Sequence, residues 1–225
     1  MNYYIDFVLW IIYFILFYFV VFWLVVFLEN GGFEKNEKKF KRTPYVTLAI
    51  PAHDEEDAIE ATMLSAIQLD YPRKYLEIYV INNFSKDRTL EIAKRVAREH
   101  KETNIIVIDH DKKGKGNAIN LALEAAKGEF FVIFDSDSFI EPCGLKRLLP
   151  YFEDDPKIAC VLPLMKTREP DNFIRKVQWY EYLMNIFYKK LMGCLDCVHV
   201  APGPFSIYRT DVLRKLGGLH ASSIT

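Results

Sequence analysis

The chain has 225 residues, a formal net charge of -1 and 51% hydrophobic residues. That length is sufficient for one domain with its own hydrophobic core. The near-neutral charge argues against a nucleic-acid-binding protein.

An apolar and aromatic run opens the chain, from Phe7 to Leu28. As a helix it is long enough to cross about 30 Å of hydrocarbon. A secretory signal peptide is the alternative interpretation, but no Lys or Arg precedes the run and no small-residue cleavage site follows it. We therefore predict an uncleaved transmembrane anchor over residues 1–29.

Basic residues follow this run, whereas Met1 to Asp6 contain none. They are Lys35, Lys38, Lys39, Lys41 and Arg42. By the positive-inside rule, the rest of the chain faces the cytoplasm, which predicts a single-pass protein of the cell membrane. Residues 30–44 are predicted to form a basic linker. The four cysteines would then lie in a reducing compartment, where structural disulfides are not expected.

Strand-like and helix-like patterns alternate after the linker, which predicts an α/β domain over residues 45–225 with a mostly parallel sheet flanked by helices. Strands are predicted at 46–50, 76–81, 104–108, 130–134 and 158–162, and helices at 55–69, 87–99, 117–127, 142–151 and 173–192. Ser85 or Asp87 is the expected N-cap of the second of these helices. The last helix carries an apolar stripe, which fits either a core or protein contact or a helix lying on a bilayer.

Two carboxylates one residue apart end the strand-like run F-F-V-I-F-D-S-D-S, at Asp135 and Asp137. In an open α/β sheet, ligands bind outside the carboxyl ends of the strands. Mg²⁺ and Mn²⁺ are commonly held there by one or two carboxylates together with substrate phosphates. A solvated turn would have the same pattern, so the pair indicates a metal site only if neighbouring motifs support one.

Three other loops also follow predicted strands. Residues 50–56 open a helix and can present backbone amides to an anion. Residues 82–89 supply amide and carboxylate groups that can bind a nucleobase or ribose. Residues 112–117 combine lysines with glycines, which suits a diphosphate. Each loop alone could be an ordinary turn, but four of them in this order predict one nucleotide site.

These motifs resemble those of family 2 inverting glycosyltransferases, which have the GT-A fold. P-A-H-D-E-E is similar to the opening P-x-x-N-E-E of that family, and V-I-N-N-F-S-K-D-R-T is similar to its V-D-N/D-x-S-x-D-x-T loop. G-K-G-N-A-I-N and F-D-S-D resemble its lysine loop and metal motif. The segment from Ala201 to Arg209 resembles the acceptor-side G-x-x-x-x-Y-R of the branch that contains processive hyaluronan, chitin and cellulose synthases.

The resemblance implies a role for individual residues. The nucleotide-sugar is expected to be bound by Pro51, Ala52, Glu55, Asn82, Lys115 and Asp135. Asp135 and Asp137 are expected to bind Mg²⁺ or Mn²⁺. Gly203 and Pro204 are expected to border the acceptor channel.

Two residues depart from the family pattern, because Asn82 stands where the family has aspartate and Asp54 stands where it has asparagine. Both changes bear on nucleotide preference. The acidic segment that supplies the catalytic base in the family is expected beyond Thr225, so the chain is interpreted as truncated at its C-terminus. No catalytic base is assigned within these residues.

The resemblance therefore predicts a membrane-anchored, metal-dependent inverting glycosyltransferase. It would move a sugar from a nucleotide-sugar, with UDP-sugar the expected donor, to a growing polysaccharide. Two alternatives stay open: transfer to a polyprenyl phosphate or other lipid acceptor, and a nucleotide-sugar-binding fragment without catalysis. The expected partners are the donor, a polysaccharide or lipid-linked acceptor, and the bilayer.

Overall fold

The computed structural model of the chain describes residues 3–29, 42–111, 114–165, 170–198 and 204–220. It divides into two compact units. The first comprises Met1–Asn36 and Leu164–Val200, and the second comprises Glu37–Pro163 and Ala201–Thr225.

The second unit contains the sheet and most of the helices. Its strands are β1 (Val46–Ala52), β2 (Leu76–Asn83), β3 (Asn104–His110), β4 (Phe130–Ile133), β5 (Cys160–Val161) and β6 (Ser206–Arg209). Its helices are α2 (Ile59–Ile67), α3 (Thr89–Glu99), α4 (Lys115–Ala125), α5 (Gly144–Leu148), α6 (Tyr151–Asp154) and α8 (Thr210–Lys215). A short 3₁₀ helix, Arg73–Tyr75, precedes β2.

The sheet has the strand order β3-β2-β1-β4-β6-β5. The first four strands in that order run parallel, as the alternation of strands and helices predicts. β6 pairs antiparallel with β4, and β5 pairs antiparallel with β6. The sheet is therefore mixed, with a parallel centre and an antiparallel edge.

Two hydrophobic clusters cover the two faces of the sheet, and the pleat of β1 explains why. Leu48 and Ile50 belong to the cluster that includes Met63 of α2 and Val96 of α3. Ala49, whose side chain points the other way, belongs to the cluster that includes residues of α4 and α8. All seven residues of β1 are buried, which is typical of a central parallel strand covered on both faces.

The first unit contains the two longest helices, α1 (Tyr3–Glu29) and α7 (Phe173–Cys194). α1 has 27 residues, and it is the one helix among the described residues that is long and apolar enough to cross a membrane. Its C-terminal end lies against α7, where the rings of Phe27 and Phe187 are 5.9 Å apart. Most of α7 is exposed, so its apolar stripe does not form a core within the described residues.

Several predicted boundaries differ from the structure. The helix predicted over 142–151 is two short helices, α5 and α6. The helix predicted from residue 55 begins at Ile59 as α2, because residues 55–58 form a turn in which Glu55 O accepts from Ala58 N and Ile59 N. β6 was not predicted as a strand. The domain boundaries 1–29, 30–44 and 45–225 stay predictions.

Candidate functional site

The carboxyl ends of β1, β2, β3 and β4 meet at one edge of the sheet. Ala52 is in register with Asn82, and Asn82 with Asp109. On the other side of β1, Ala49 is in register with Ile133, and Phe134 N donates to Ala49 O at 2.9 Å. The loops that follow these four strands therefore share one edge, as expected for a ligand site in this kind of sheet.

An ion pair joins the third and fourth loops. Nζ of Lys115 donates to Oδ1 of Asp135 at 2.6 Å. The Lys115 side chain is 40% exposed and that of Asp135 is 20% exposed, so both groups stay accessible to a ligand. The lysine turn and the first acid of the D-x-D motif are thus in direct contact.

Hydrogen bonds also join the first two loops. Asp54 N donates to Ser85 Oγ at 3.1 Å, and Lys86 N donates to Asp54 Oδ1 at 2.7 Å. Asp54 has φ of 52°, in the left-handed region that asparagine and aspartate tolerate better than most residues. Asparagine and aspartate both supply the oxygen that accepts from Lys86. The departure from the family pattern at Asp54 therefore keeps the local geometry.

Asp87 is a structural member of the second loop. Its Oδ1 accepts from Thr89 N at 3.0 Å and its Oδ2 accepts from Glu56 N at 3.0 Å. Burial acts to raise the pKa of Asp87, but these hydrogen bonds outweigh burial and hold its pKa below the usual value. The N-cap prediction at Ser85 or Asp87 was wrong by position, since the N-cap of α3 is Arg88, which makes no side-chain capping bond.

The second and third loops are joined through Asn83. Its Oδ1 accepts from Gly114 N at 3.1 Å. Gly114 has φ of 133°, a conformation that a residue with a Cβ rarely adopts. Glycine at this position therefore lets the lysine turn bend into α4. Lys112 and Lys113 lie outside the described residues.

Thr62 of α2 holds the D-x-D loop. Its Oγ1 lies 2.7 Å from Ser136 O and 3.0 Å from Ser138 O, so the hydroxyl can donate to either carbonyl on the two sides of Asp137. Thr62 is fully buried. Its side chain fixes the backbone from which the second acid projects.

Negative charge accumulates where the first and fourth loops meet. Burial raises the pKa of the Glu55 carboxyl above its usual value, and the carboxylates of Asp137 and Asp87 raise it further. Among the described residues no three His, Cys, Asp or Glu side chains form a metal-binding cluster. Asp135 and Asp137 are the two carboxylates that are predicted to bind a metal ion at this edge. These are hard oxygen ligands, which suit Mg²⁺ or Mn²⁺ completed by phosphate oxygens.

Asn82, at the end of β2, is 4% exposed. Its Nδ2 donates to Oδ1 of Asp109 at 2.7 Å. Its own Oδ1 is buried and accepts no hydrogen bond from the part of the chain that the structure describes. An unsatisfied buried oxygen is uncommon, and it requires an explanation.

The start of β6 reaches the same edge. Ser206 pairs with Ile133, and the ring of Phe205 meets that of Phe134 edge to face at 5.4 Å. Pro204, predicted to border the acceptor channel, precedes these residues, whereas Gly203 lies outside the described residues. Arg209, at the other end of β6, is structural, because its guanidinium donates to the carbonyls of Ile158 and Phe152.

The structure thus brings together the loops that carry the predicted site residues. Those residues are Pro51, Ala52, Glu55, Asn82, Lys115, Asp135, Asp137 and Pro204. Their roles in binding stay predictions. Sequence reasoning missed Thr62, which has no local signal in the middle of a helix. It also missed Asp109, although a carboxylate directly after a predicted strand was a usable signal.

Residues 47–217 match the family model described as Glycosyl transferase family 2. The chain belongs to this family. The poly-beta-1,6-N-acetyl-D-glucosamine synthase of Staphylococcus aureus strain MSSA476 is 26% identical over 189 residues, which cover 80% of this chain and 43% of the relative. The Staphylococcus epidermidis synthase is 25% identical over 182 residues with the same coverage. The chain therefore spans less than half the length of these relatives.

Solved structures share the GT-A fold with this family 2 chain. The mannosyltransferase PcManGT from Pyrobaculum calidifontis, in complex with GDP-Man and Mn²⁺, has a TM-score of 0.69 and 21% identity, covering 90% of this chain and 55% of its own. S. aureus TarS 1-349 in complex with UDP-GlcNAc has a TM-score of 0.56 and 24% identity, covering 77% of this chain and 47% of its own. At these identities the likeness concerns the fold.

Proposed function

We propose that the chain is the donor-binding part of a membrane-anchored, metal-dependent inverting glycosyltransferase, which moves a sugar from a UDP-sugar to a growing polysaccharide. One observation carries this proposal. Lys115 and Asp135, from two separate loops, are in contact at the edge where four strand ends meet. A cation beside a carboxylate pair is the arrangement that a metal-bound diphosphate needs.

The donor site would use the groups at this edge. Lys115 would place its positive charge beside the diphosphate, and it is also the first residue of α4, so the helix N-terminus adds a favourable dipole for an anion. Pro51 and Ala52, at the end of β1, would line the nucleoside site together with Glu55. Asn82 would contact the base.

A divalent ion would be held by Asp135 and Asp137. When bound, it supplies positive charge that stabilises the departing nucleoside diphosphate. Burial raises the pKa of Glu55, and repulsion from Asp137 raises it further. The negative charge shared by these two residues supports a cation at this position, because a cation would offset that repulsion. Thr62 would keep Asp137 in place through its hydrogen bonding to the loop backbone.

The names of the relatives support a polysaccharide product, since both are synthases of a β-linked polymer of N-acetylglucosamine. The acceptor would enter beside Gly203 and Pro204, and the attack would invert the anomeric configuration, as the family resemblance implies. The length and exposure of α1 support anchoring in the cell membrane. The basic residues that follow it in the sequence support a glycosyltransferase domain on the cytoplasmic side.

A transfer assay on the full chain tests the proposal. The protein in liposomes is incubated with radiolabelled UDP-N-acetylglucosamine and Mn²⁺, and radiolabel is measured in polymer and in organic extract. Labelled polymer whose glycosidic linkages have the opposite anomeric configuration to the donor supports the proposal. Label confined to the organic extract indicates a lipid acceptor and contradicts the proposed polysaccharide product. Nucleotide binding without transfer indicates that these residues form a donor-binding fragment, and absence of UDP-sugar binding contradicts the proposed donor site.

A further inference from the structure

The hydrogen bond between Asn82 and Asp109 fixes the orientation of an amide at the proposed base-binding position. A carboxylate can only accept hydrogen bonds, so the Asn82 group that faces Asp109 at 2.7 Å must be the NH₂. The amide oxygen is then turned away from Asp109. It is this oxygen that is buried and accepts no hydrogen bond from the described groups.

The charge of Asp109 also acts on that oxygen. A carboxylate that accepts from the NH₂ group polarises the amide, which makes its oxygen a stronger acceptor. Leaving a buried acceptor unsatisfied costs free energy. A ligand that donates an N–H to Asn82 Oδ1 would remove this cost, whereas a ligand that presents a second acceptor there would be repelled.

We infer that Asp109 is a positioning residue for base selection: it locks Asn82 as an acceptor, so the site takes a base that presents an N–H and rejects one that presents a lone pair. Uracil carries a hydrogen on N3, and cytosine carries a lone pair on the same atom. The inference rests on the proposed nucleotide site and adds the group that sets its preference. Asp109 is exposed, and it acts through Asn82 rather than on the ligand.

The hydrogen bond that orients Asn82 on Asp109 also accounts for the departure from the family pattern at residue 82. An aspartate there would place two carboxylates in contact, and both could not stay ionised without cost. With asparagine at 82 and aspartate at 109, one member donates and the other accepts. The exchanged pair, Asn82→Asp with Asp109→Asn, would restore a donor and an acceptor in the opposite order.

Calorimetry with UDP and CDP, each with Mn²⁺, tests the inference on the full chain in detergent. We expect the wild type to bind UDP at least about tenfold more tightly than CDP, since a site built around a hydrogen bond strongly rejects an analogue that cannot make it. In Asp109→Asn either amide orientation is allowed, and the ratio of the two dissociation constants should fall towards one. Glu124→Gln removes one exposed carboxylate of α4 and should keep the wild-type ratio.

The exchanged pair separates positioning from general stability. Asn82→Asp alone should bind UDP more weakly at pH 8, and the double variant should regain both affinity and preference for UDP. A preference that is unchanged in Asp109→Asn, in a variant with the wild-type melting temperature, overturns the inference while the nucleotide site stands. A wild type that binds neither nucleotide overturns the proposed site and this inference together.

Discussion

Nζ of Lys115 lies 2.6 Å from Oδ1 of Asp135, although the two residues are 20 positions apart in the chain. The pair joins the turn that opens α4 to the loop that follows β4. Because both side chains are partly exposed, the pair contributes little to folding, about 0–1 kcal/mol. Its significance is that it sets a cation and a carboxylate side by side at the strand ends.

Replacing Lys115 by methionine should therefore reduce function much more than stability. A charge-assisted hydrogen bond to a phosphate is worth about 1.5–3 kcal/mol, so we expect roughly tenfold to a hundredfold weaker binding of UDP with Mn²⁺, measured by calorimetry. Lys215→Met is the matched control, since Lys215 pairs with Asp211 at 3.3 Å on α8. Equal affinity in the two variants would contradict a diphosphate-binding role for Lys115.

The central strands were predictable from the sequence because their apolar runs are continuous and end in polar loops. Phe130 to Phe134, followed by Asp135, is an example. A strand was predicted at 158–162, where β5 (Cys160–Val161) forms. β6 and the antiparallel pairing were not predicted, because β6 has four residues, too few to give a periodic signal. That pairing depends on long-range contacts such as that of Phe134 with Phe205.

The convergence of the four loops followed from the parallel sheet, but the bonds that fix them did not. The N–H of Glu55 donates to Thr89 Oγ1, and Thr62 bonds to the D-x-D loop. Such contacts join residues far apart in the chain, and local patterns carry no information about them. A helix N-cap was predicted where Asp87 instead connects two loops.

Removing the Thr62 hydroxyl should loosen the D-x-D loop. Thr62→Val keeps the shape of the buried side chain but leaves the carbonyls of Ser136 and Ser138 without this donor. We expect a loss of about 1–3 kcal/mol in the free energy of unfolding, measured by urea denaturation, together with weaker Mn²⁺-dependent UDP binding. Thr62→Ser retains the hydroxyl and should bind UDP as the wild type does. Normal binding by the valine variant would show that this hydroxyl does not position Asp137.

The raised pKa of Glu55 predicts a specific pH dependence of stability in the metal-free protein. The Glu55 carboxyl stays protonated to a higher pH in the folded state than in the unfolded state, in which its pKa is near 4.5. The free energy of unfolding therefore decreases as the pH rises from about 4.5 through the folded-state pKa. Glu55→Gln cannot ionise, so it should be more stable than the wild type above this window.

Thermal unfolding of the wild type and Glu55→Gln in EDTA, from pH 4 to pH 8, measures the difference in stability between them. The stability gained by the glutamine variant should be smallest at pH 4 and largest at pH 8. A glutamine variant that is less stable than the wild type at pH 8 would indicate that Glu55 is stabilised, rather than disfavoured, by its surroundings.

The proposed membrane anchor predicts that α1 determines how the chain fractionates. The full chain should stay with membranes after alkaline carbonate extraction, because an apolar helix of 27 residues can span the hydrocarbon layer. Asp or Lys substitutions at Ile12, Leu16 and Val20 should release it, since each places a charge within that layer. Quantitative immunoblotting of pellet and supernatant measures this. Full release of the unaltered chain by carbonate would contradict the anchor.

The most direct measurement of the central claim is calorimetric titration of UDP into the full chain, with Mn²⁺ and with EDTA, for the wild type, Asp135→Asn, Asp137→Asn and the control Asp155→Asn. Asp155 accepts from Lys157 N at 2.8 Å in an exposed turn, so its variant matches the loss of one charge. We expect Mn²⁺-dependent binding that Asp135→Asn and Asp137→Asn each weaken by at least about tenfold, or 1.4 kcal/mol, and that Asp155→Asn leaves intact. UDP binding that is equally tight in EDTA, or unaffected in both site variants, would contradict a metal-dependent donor site at Asp135 and Asp137.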